Sequence, residues 1–386
     1  MAQLSRTTAA LSALTLVGLG LGLPASSQAS APSQSTTQSL ARPRGVTHLM
    51  PQIVQPGRAV LPAARARVTG TVTFSPALRG RRVVIQRRVR GGGWQNYVVK
   101  RQNRSGVVAF NGPRTRNRLP LIYRGVAVRY QGRAAVRASS MSGAVWQQRF
   151  SDEFTGTELD PDKWAHRLVG VVTPRRTRSV SAKEAVGVKD GTVRLYVRRD
   201  PDDADKYLNG SIGTHNGLFS FTRGVAAARI KFQRGVGQHG AFWMLPDQRR
   251  SLPGQPRRSG AEIDVAEYFG DGNNDGGLGS FVYNYGVLDP SGEPRRLGAV
   301  FPGATEKLRR SDDWWRSYHV FSVEWARDTY TFRVDGRVHW RTRAGVSGIP
   351  EHLILSLMTS DYELPRLDNS RLPSRMMVDW VRVWQK

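Results

Sequence analysis

The 386-residue sequence predicts an all-β protein, a large jelly-roll sandwich over about residues 147–386 preceded by a small β-sandwich over residues 45–140. Three observations predict it. Short β-branched and aromatic runs recur between Gly, Pro and Asp turns, as in "ARVTGTVTF", "TVRLYVRR" and "YTFRVDGRVHW". Helical periodicity is scarce throughout. Composition also breaks near residue 146: no Asp or Glu precedes Asp152, whereas 23 Lys and Arg do. With 13 Phe, 10 Trp and 11 Tyr, a chain of this length can fill more than one core.

Residues 1–31 read as an export signal. Arg6 gives a positive start, "ALSALTLVGLGLGL" is an apolar stretch, and "SQASA" ends it with small residues, so cleavage is expected after Ala29 or Ala31. About 14 apolar residues are too few to cross a bilayer comfortably, so no membrane span is expected. A polar linker follows over residues 32–44. The expected location is secreted, with cell-wall association. The chain has no Cys, which excludes disulfides, thiolate metal sites, a Cys nucleophile and a thioether lipid anchor.

In residues 45–140, "VVIQRRV" and "VAVRYQG" alternate as half-buried strands do, and "RGGGW" supplies a turn. Length and strand number suggest an immunoglobulin-like sandwich. With no carboxylate and only His48, this segment carries no catalytic constellation and reads as a binding or spacer module. Nearly all of the net charge of +28 lies in the first 151 residues, because the remainder holds 35 basic and 30 acidic residues. A basic module without an acid should attract polyanions, and outside a cell an anionic wall polymer is the expected partner. Zinc-finger, basic-zipper and helix-turn-helix spacings are missing, so no specific nucleic-acid partner is expected.

The segment "GAEIDVAEYFG", residues 260–270, holds Glu262, Asp264 and Glu267. On a helix, at 100° per residue, Asp264 and Glu267 would lie 200° and 140° from Glu262, so no shared face results. On a flat strand Glu262 and Asp264 share a side, but Glu267 would enter the apolar layer as an unpaired charge, at several kcal/mol. A β-bulge at Val265–Ala266 resolves this. It shifts the phase so that all three acids leave one face while Ile263 and Tyr268 stay on the other. Crowded carboxylates raise at least one pKa, and one protonated acid beside one ionised acid is the division of labour of double-displacement glycoside hydrolysis. Taken alone, the triple also fits a solvated acidic edge.

Context separates the two readings. "RFSDEFTGTELDPDKW", "GLFSFTRGVAAARIKFQRGVGQHGAFWMLP", "AEIDVAE", "YHVFSVEWARDTYTFRVDGRVHW" and "VDWVRVWQK" resemble, in order, segments of glycoside hydrolase family 16. "AEIDVAE" is similar to that family's E-x-D-x-x-E signature, in the bulged branch that includes laminarinases, agarases and carrageenases. The resemblance implies a concanavalin-like jelly roll and a retaining, endo-acting mechanism. It implies Glu262 as nucleophile, Glu267 as general acid and then base, and Asp264 between them, tuning charge and sharing protons. It also implies that Trp243 stacks a sugar, since aromatic faces bind pyranose C–H faces. Trp314 and Trp315 carry a weaker signal of the same kind.

One departure concerns the His often found on the strand after the acids. "SFVYNYG" puts Asn284 there, which implies a hydrogen bond to substrate without titration. Asp379 matches a family position for structural calcium, and a carboxylate suits that ion. No cofactor is otherwise required, and His48, His166, His215, His239, His319, His339 and His352 show no paired metal spacing. "GDGNNDGG" (270–277) reads as a rim loop. The expected activity is endo-hydrolysis of a polysaccharide, a β-1,3-glucan of the laminarin type. A galactan hydrolase of the agarase or carrageenase type, a transglycosylase, and a lectin-like wall-polysaccharide binder are the alternatives.

Overall fold

The computed structural model describes residues 42–51, 67–248, 252–270, 277–300 and 312–386. The expected export signal, most of the linker and residues 271–276 of the rim loop lie outside the described residues. Strands dominate, and the single α-helix among the described residues, Pro256–Ser259, is one turn long.

From Gln147 onward the strands form one hydrogen-bonded system that closes on itself in two layers. The long final strand, Ser374–Gln385, organises the backing layer. It pairs with Thr192–Arg199 along its first half, with Gln147–Asp152 along its second, and with Gly224–Lys231 on its other edge. His319–Trp325 and Tyr330–Val334 continue this layer. The second layer runs Pro294–Val300, Leu278–Leu288, Ala261–Tyr268, His239–Pro246, Glu351–Met358 and Tyr207–Gly213, each pair antiparallel. Between the layers lies one large core that includes Phe242, Ile263, Phe321, Phe332, Leu355 and Val381. Period-two alternation explains it, because each strand gives alternate side chains to this core.

Residues 44–142 form two further sheets around a core of their own, with Leu49, Val72, Ile85, Phe110 and Tyr123 buried. One sheet orders Arg44–Pro51, Arg67–Ser75 and Val107–Pro113, and the other centres on Arg82–Val89 between Gln95–Arg101 and Leu119–Ala127. "RVTGTVTFS" alternates inward and outward over its whole length. Gly70 in that strand is dictated by packing, since a Cβ there would lie 2.2 Å from the Phe110 ring.

This basic segment is more than a tethered spacer. Residues Pro43–Lys386 cluster as one compact unit. Met50 and Trp146 share an apolar cluster with Val225, Ala227, Val320, Trp380 and Trp384 of the backing layer. That contact explains why Gly224–Lys231 is buried on both faces, Ala226 and Ala228 toward the main core and Val225 and Ala227 toward the seam. Trp146 Nε1 donates to the Leu49 carbonyl at 2.6 Å, and His48 Nε2 lies 3.0 Å from Glu324 Oε1. A seam holding several buried aromatics contributes on the order of 1.5–3 kcal/mol per side chain.

Candidate active site

The acid strand, Ala261–Tyr268, carries the bulge its spacing demands. Against Leu278–Leu288 the register runs Glu262↔Tyr283, Ile263↔Val282 and Asp264↔Phe281, then jumps to Glu267↔Gly279. Val265 and Ala266 thus oppose Ser280 alone. On the other edge Phe242 pairs with Ala266 and Trp243 with Asp264, which skips Val265. Ser280 Oγ donates to the Val265 carbonyl at 2.8 Å, so the kink does not leave that acceptor empty. Ile263, Val265, Ala266 and Tyr268 all enter the core. Glu262, Asp264 and Glu267 project from the opposite, open face.

These three carboxyls share one environment but not one set of contacts. Glu262 Oε2 accepts a hydrogen bond from the Tyr285 hydroxyl at 3.1 Å. Asp264 is 2% exposed and its Oδ2 is buried without a hydrogen-bond partner. Burial, then the charges of Glu267 and Glu262, push the Asp264 carboxyl well above the usual range. Burial also raises Glu267, to about 7, with His239 and Arg296 opposing the rise and Glu262 and Glu363 adding to it. The face therefore favours the protonated form of Asp264 between its neighbours, and near neutral pH it holds a Glu267 poised to give or take a proton.

Trp243 stands across the strand pair from Asp264, half-buried, with its Nε1 donating to Ser356 Oγ at 3.1 Å. It shares the face of the acids, as expected of a sugar platform. Asn284 does not. Its register partner is Ala261, whose side chain lies in the core, and its Oδ1 accepts from the Gly286 amide. Strand alternation instead gives the acid face to Tyr283 and Tyr285. The three acids and burial raise the Tyr283 hydroxyl to about 12, with burial the larger cause. Trp314 is a core residue, and Trp315 is flanked by Arg234 and Arg316.

Asp379 lies on the backing layer, where Arg229 Nη1 approaches its Oδ2 at 2.6 Å. A guanidinium in that position opposes a divalent cation, and no group of three His, Cys, Asp or Glu suited to a metal occurs among the described residues. The residues at Asp379 as arranged do not fit calcium, and no chemistry is assigned to a metal.

Two groups escaped the sequence reading. His239 shares the face of Trp243, two strand steps further along from Ala241. Its Nδ1 lies 2.9 and 3.0 Å from the two oxygens of Glu363, with both residues buried. Glu363 and Glu267 raise the His239 pKa against the opposing pull of burial. The second is Arg167, whose guanidinium lies 5.0 Å from the Trp243 ring centroid. Alternation read backwards from Trp243 points to His239, but nothing in the sequence links Arg167 to it.

Comparison with known proteins points to one family. The model for glycosyl hydrolases family 16 matches residues 174–382. A keratan-sulfate endo-1,4-beta-galactosidase of Sphingobacterium multivorum is 26% identical over 264 residues, covering 65% of this chain and 58% of the relative. A glucan endo-1,3-beta-glucosidase A1 of Niallia circulans is 28% identical over 274 residues, covering 63% of this chain and 38% of the relative. The chain thus matches well under two thirds of the length of either. Among solved structures, the catalytic domain of an endo-1,3-beta-glucanase from Thermotoga petrophila RKU-1 superposes with a TM-score of 0.51 at 22% identity, over 62% of this chain and 98% of that one. The Rhodothermus marinus laminarinase gives 0.51 at 23% identity, over 62% and 97%. The bulged acid strand and the family match over more than half of the sequence lead to one conclusion: this chain belongs to glycosyl hydrolases family 16.

Proposed function

We propose that the protein is an exported, retaining endo-hydrolase of β-glucan that cuts β-1,3 linkages. The observation that carries the reading is the bulge at Val265–Ala266, which turns Glu262, Asp264 and Glu267 to one face beside Trp243. Glu262 attacks the anomeric carbon of the sugar resting on Trp243. Glu267 gives its proton to the departing glycosidic oxygen as that bond breaks, leaving a glycosyl ester on Glu262. Glu267, now a carboxylate, takes a proton from water as the water oxygen attacks the same carbon, and the ester bond breaks to restore Glu262. A Glu267 pKa of about 7 suits a group that must act in both directions. Asp264, whose neutral form burial and the two glutamates favour, limits the repulsion between them. The β-1,3-glucan specificity draws on the printed names of the Niallia circulans relative and the laminarinase structures.

Reducing-sugar release from laminarin, lichenan, agarose and carrageenan tests this. Laminarin should be cut, and Glu262→Gln should lose at least about 10³-fold in kcat, as expected of a missing nucleophile. Release that persists in Glu262→Gln removes that residue from the mechanism. Binding without release from any polymer favours a lectin.

For the basic segment we propose attachment to an anionic wall polymer. Arg88 and Arg124 flank the Trp94 ring at 4.6 and 4.0 Å, and Arg87 lies 4.4 Å from the Tyr97 ring, an arrangement that presents guanidinium groups on a firm surface. Retention on cell walls should fall as salt is raised. Retention that ignores salt would remove the electrostatic basis.

A further inference from the structure

A cavity opens at the rim of the sandwich, outside the acid face. It lies where the chain leaves Gly224–Lys231 and turns over to His239–Pro246, beside the start of the final strand, and its volume is about 250 Å³. Lys231 pairs with Met377 and both line it, while Ile230, Met376 and Val378 enter the core. Alternation therefore places the opening on the outer side of the backing layer. A single peptide bond separates it from the catalytic side: Gln238 turns to Ser374 and the cavity, and its neighbour His239 turns to Glu363.

The walls are basic. Lys231, Arg234, Arg371 and Arg375 approach from two separate segments, and Asp368 is the one acid among the described lining residues. That acid is already engaged: Arg371 Nε lies 3.1 Å from its Oδ2, and the Ser370 amide and hydroxyl donate to its Oδ1 at 3.1 and 2.6 Å. Lys231 and Arg375 form no ion pair among the described residues. Two polar groups of the lining are unsatisfied. Gln238 is 2% exposed and donates from Nε2 to Ser374 Oγ at 2.9 Å, but its Oε1 is buried without a partner. Trp315 Nε1 is buried without one as well.

A buried acceptor and a buried donor left empty are costly to a fold, and together they mark a place for a partner. The partner these walls select has negative charge for the cations, an acceptor for the Trp315 N–H and a hydroxyl for the Gln238 oxygen. We propose that the cavity binds a phosphate monoester of a small polyol, at a site separate from the catalytic face. A phosphate monoester suits it better than a carboxylate. It carries up to two negative charges and three strong acceptor oxygens, enough for cations arriving from two sides. A carboxylate offers two oxygens in one plane, which a single guanidinium already satisfies. At about 30 Å³ per water, the cavity equals about eight waters, which admits a glycerol phosphate and excludes a run of sugar rings. A neutral glucan brings hydroxyls but no charge, so the polymer cut at the acid face is not the occupant.

Titration calorimetry on the full chain tests this with glycerol 3-phosphate as the probe. The expected result is saturable binding that Lys231→Gln and Arg375→Gln each weaken at least about tenfold, the usual worth of a hydrogen bond to a charged group. Methyl phosphate, a monoester without a free hydroxyl, should bind about three- to tenfold more weakly than the probe, and Gln238→Leu should erase that difference. Glu262→Gln should bind the probe as wild type does, and laminarin oligosaccharides should not compete. Four results overturn the proposal: no saturable binding, competition by laminarin oligosaccharides, equal affinity for the diester dimethyl phosphate, or binding that survives Lys231→Gln and Arg375→Gln combined. The last would place the anion elsewhere, as on the basic segment of residues 45–140. Should Gln238→Leu fail to melt cooperatively, the wild-type comparison decides the hydroxyl's part, since equal affinity for methyl phosphate and the probe refutes it. None of these outcomes touches the hydrolase reading, which stands or falls on reducing-sugar release.

Discussion

Glu324, half-buried, and Asp264, buried, are acids of the same jelly roll, on opposite layers, and the protein treats them in opposite ways. Glu324, on the backing layer, meets His48 at 3.0 Å and Arg333 at 2.8 Å. Burial pushes its pKa up, but the hydrogen bonds and charges of those partners prevail and hold it at about 2. Asp264, on the open face, has a bare oxygen and two acidic neighbours, and its pKa climbs. The first carboxylate joins two segments of the fold. The second is left in a state that stability alone would not select, which is how a site prepared for chemistry differs from a structural ion pair.

Several substitutions would break or sharpen this contrast. The largest effect is on turnover, the loss of at least about 10³-fold in kcat expected for Glu262→Gln with little change in melting temperature. Next comes Glu324→Gln, which leaves buried Arg333 without its acid and should cost about 3–5 kcal/mol in denaturant unfolding while kcat on soluble polymer holds. Wild-type protein should show the same linkage by titration. A depressed carboxylate pKa contributes stability above its unfolded value, and that stability is lost as the pH falls from about 4.5 toward 2. If Glu324→Gln melts like wild type, the seam does not depend on this pair.

Asp264→Asn inverts the pattern. It should lower kcat about ten- to hundredfold yet change stability by less than about 1 kcal/mol, because no ion pair is lost. A large drop in melting temperature would make Asp264 a structural residue after all. The smallest effect concerns protons. With Glu267 raised to about 7, kcat/KM should fall as the pH rises through about 7, since the acid must be protonated to release the leaving group. Replacing His239 by Gln removes a cation that opposes this rise, so the limb should move upward by about half to one pH unit. A limb that stays put would confine His239 to holding Glu363.

Much of the acid strand was legible because parity is a local property. Glu262 and Glu267 are five positions apart, an odd number, so only an extra residue lets both leave one face, and the bulge follows from the sequence string. Asn284 was misread for the same physical reason. Which face a residue takes on the next strand depends on register with its partner, and the Ala261↔Asn284 pairing cannot be counted from one strand alone. The alternating runs of residues 45–140 likewise announced strands, but not that Met50 and Trp146 would bury themselves against Trp380 and Trp384.

By itself, then, the sequence determined the all-β class, the kinked acid strand and the uneven charge, because side-chain periodicity and composition are written along the chain. Tertiary structure alone decided which distant groups meet: Glu363 against His239, Arg167 over Trp243, His48 on Glu324. Those contacts join residues up to 276 positions apart. Their electrostatics depend on burial and distance, which sheet pairing and layer packing set and no local pattern encodes.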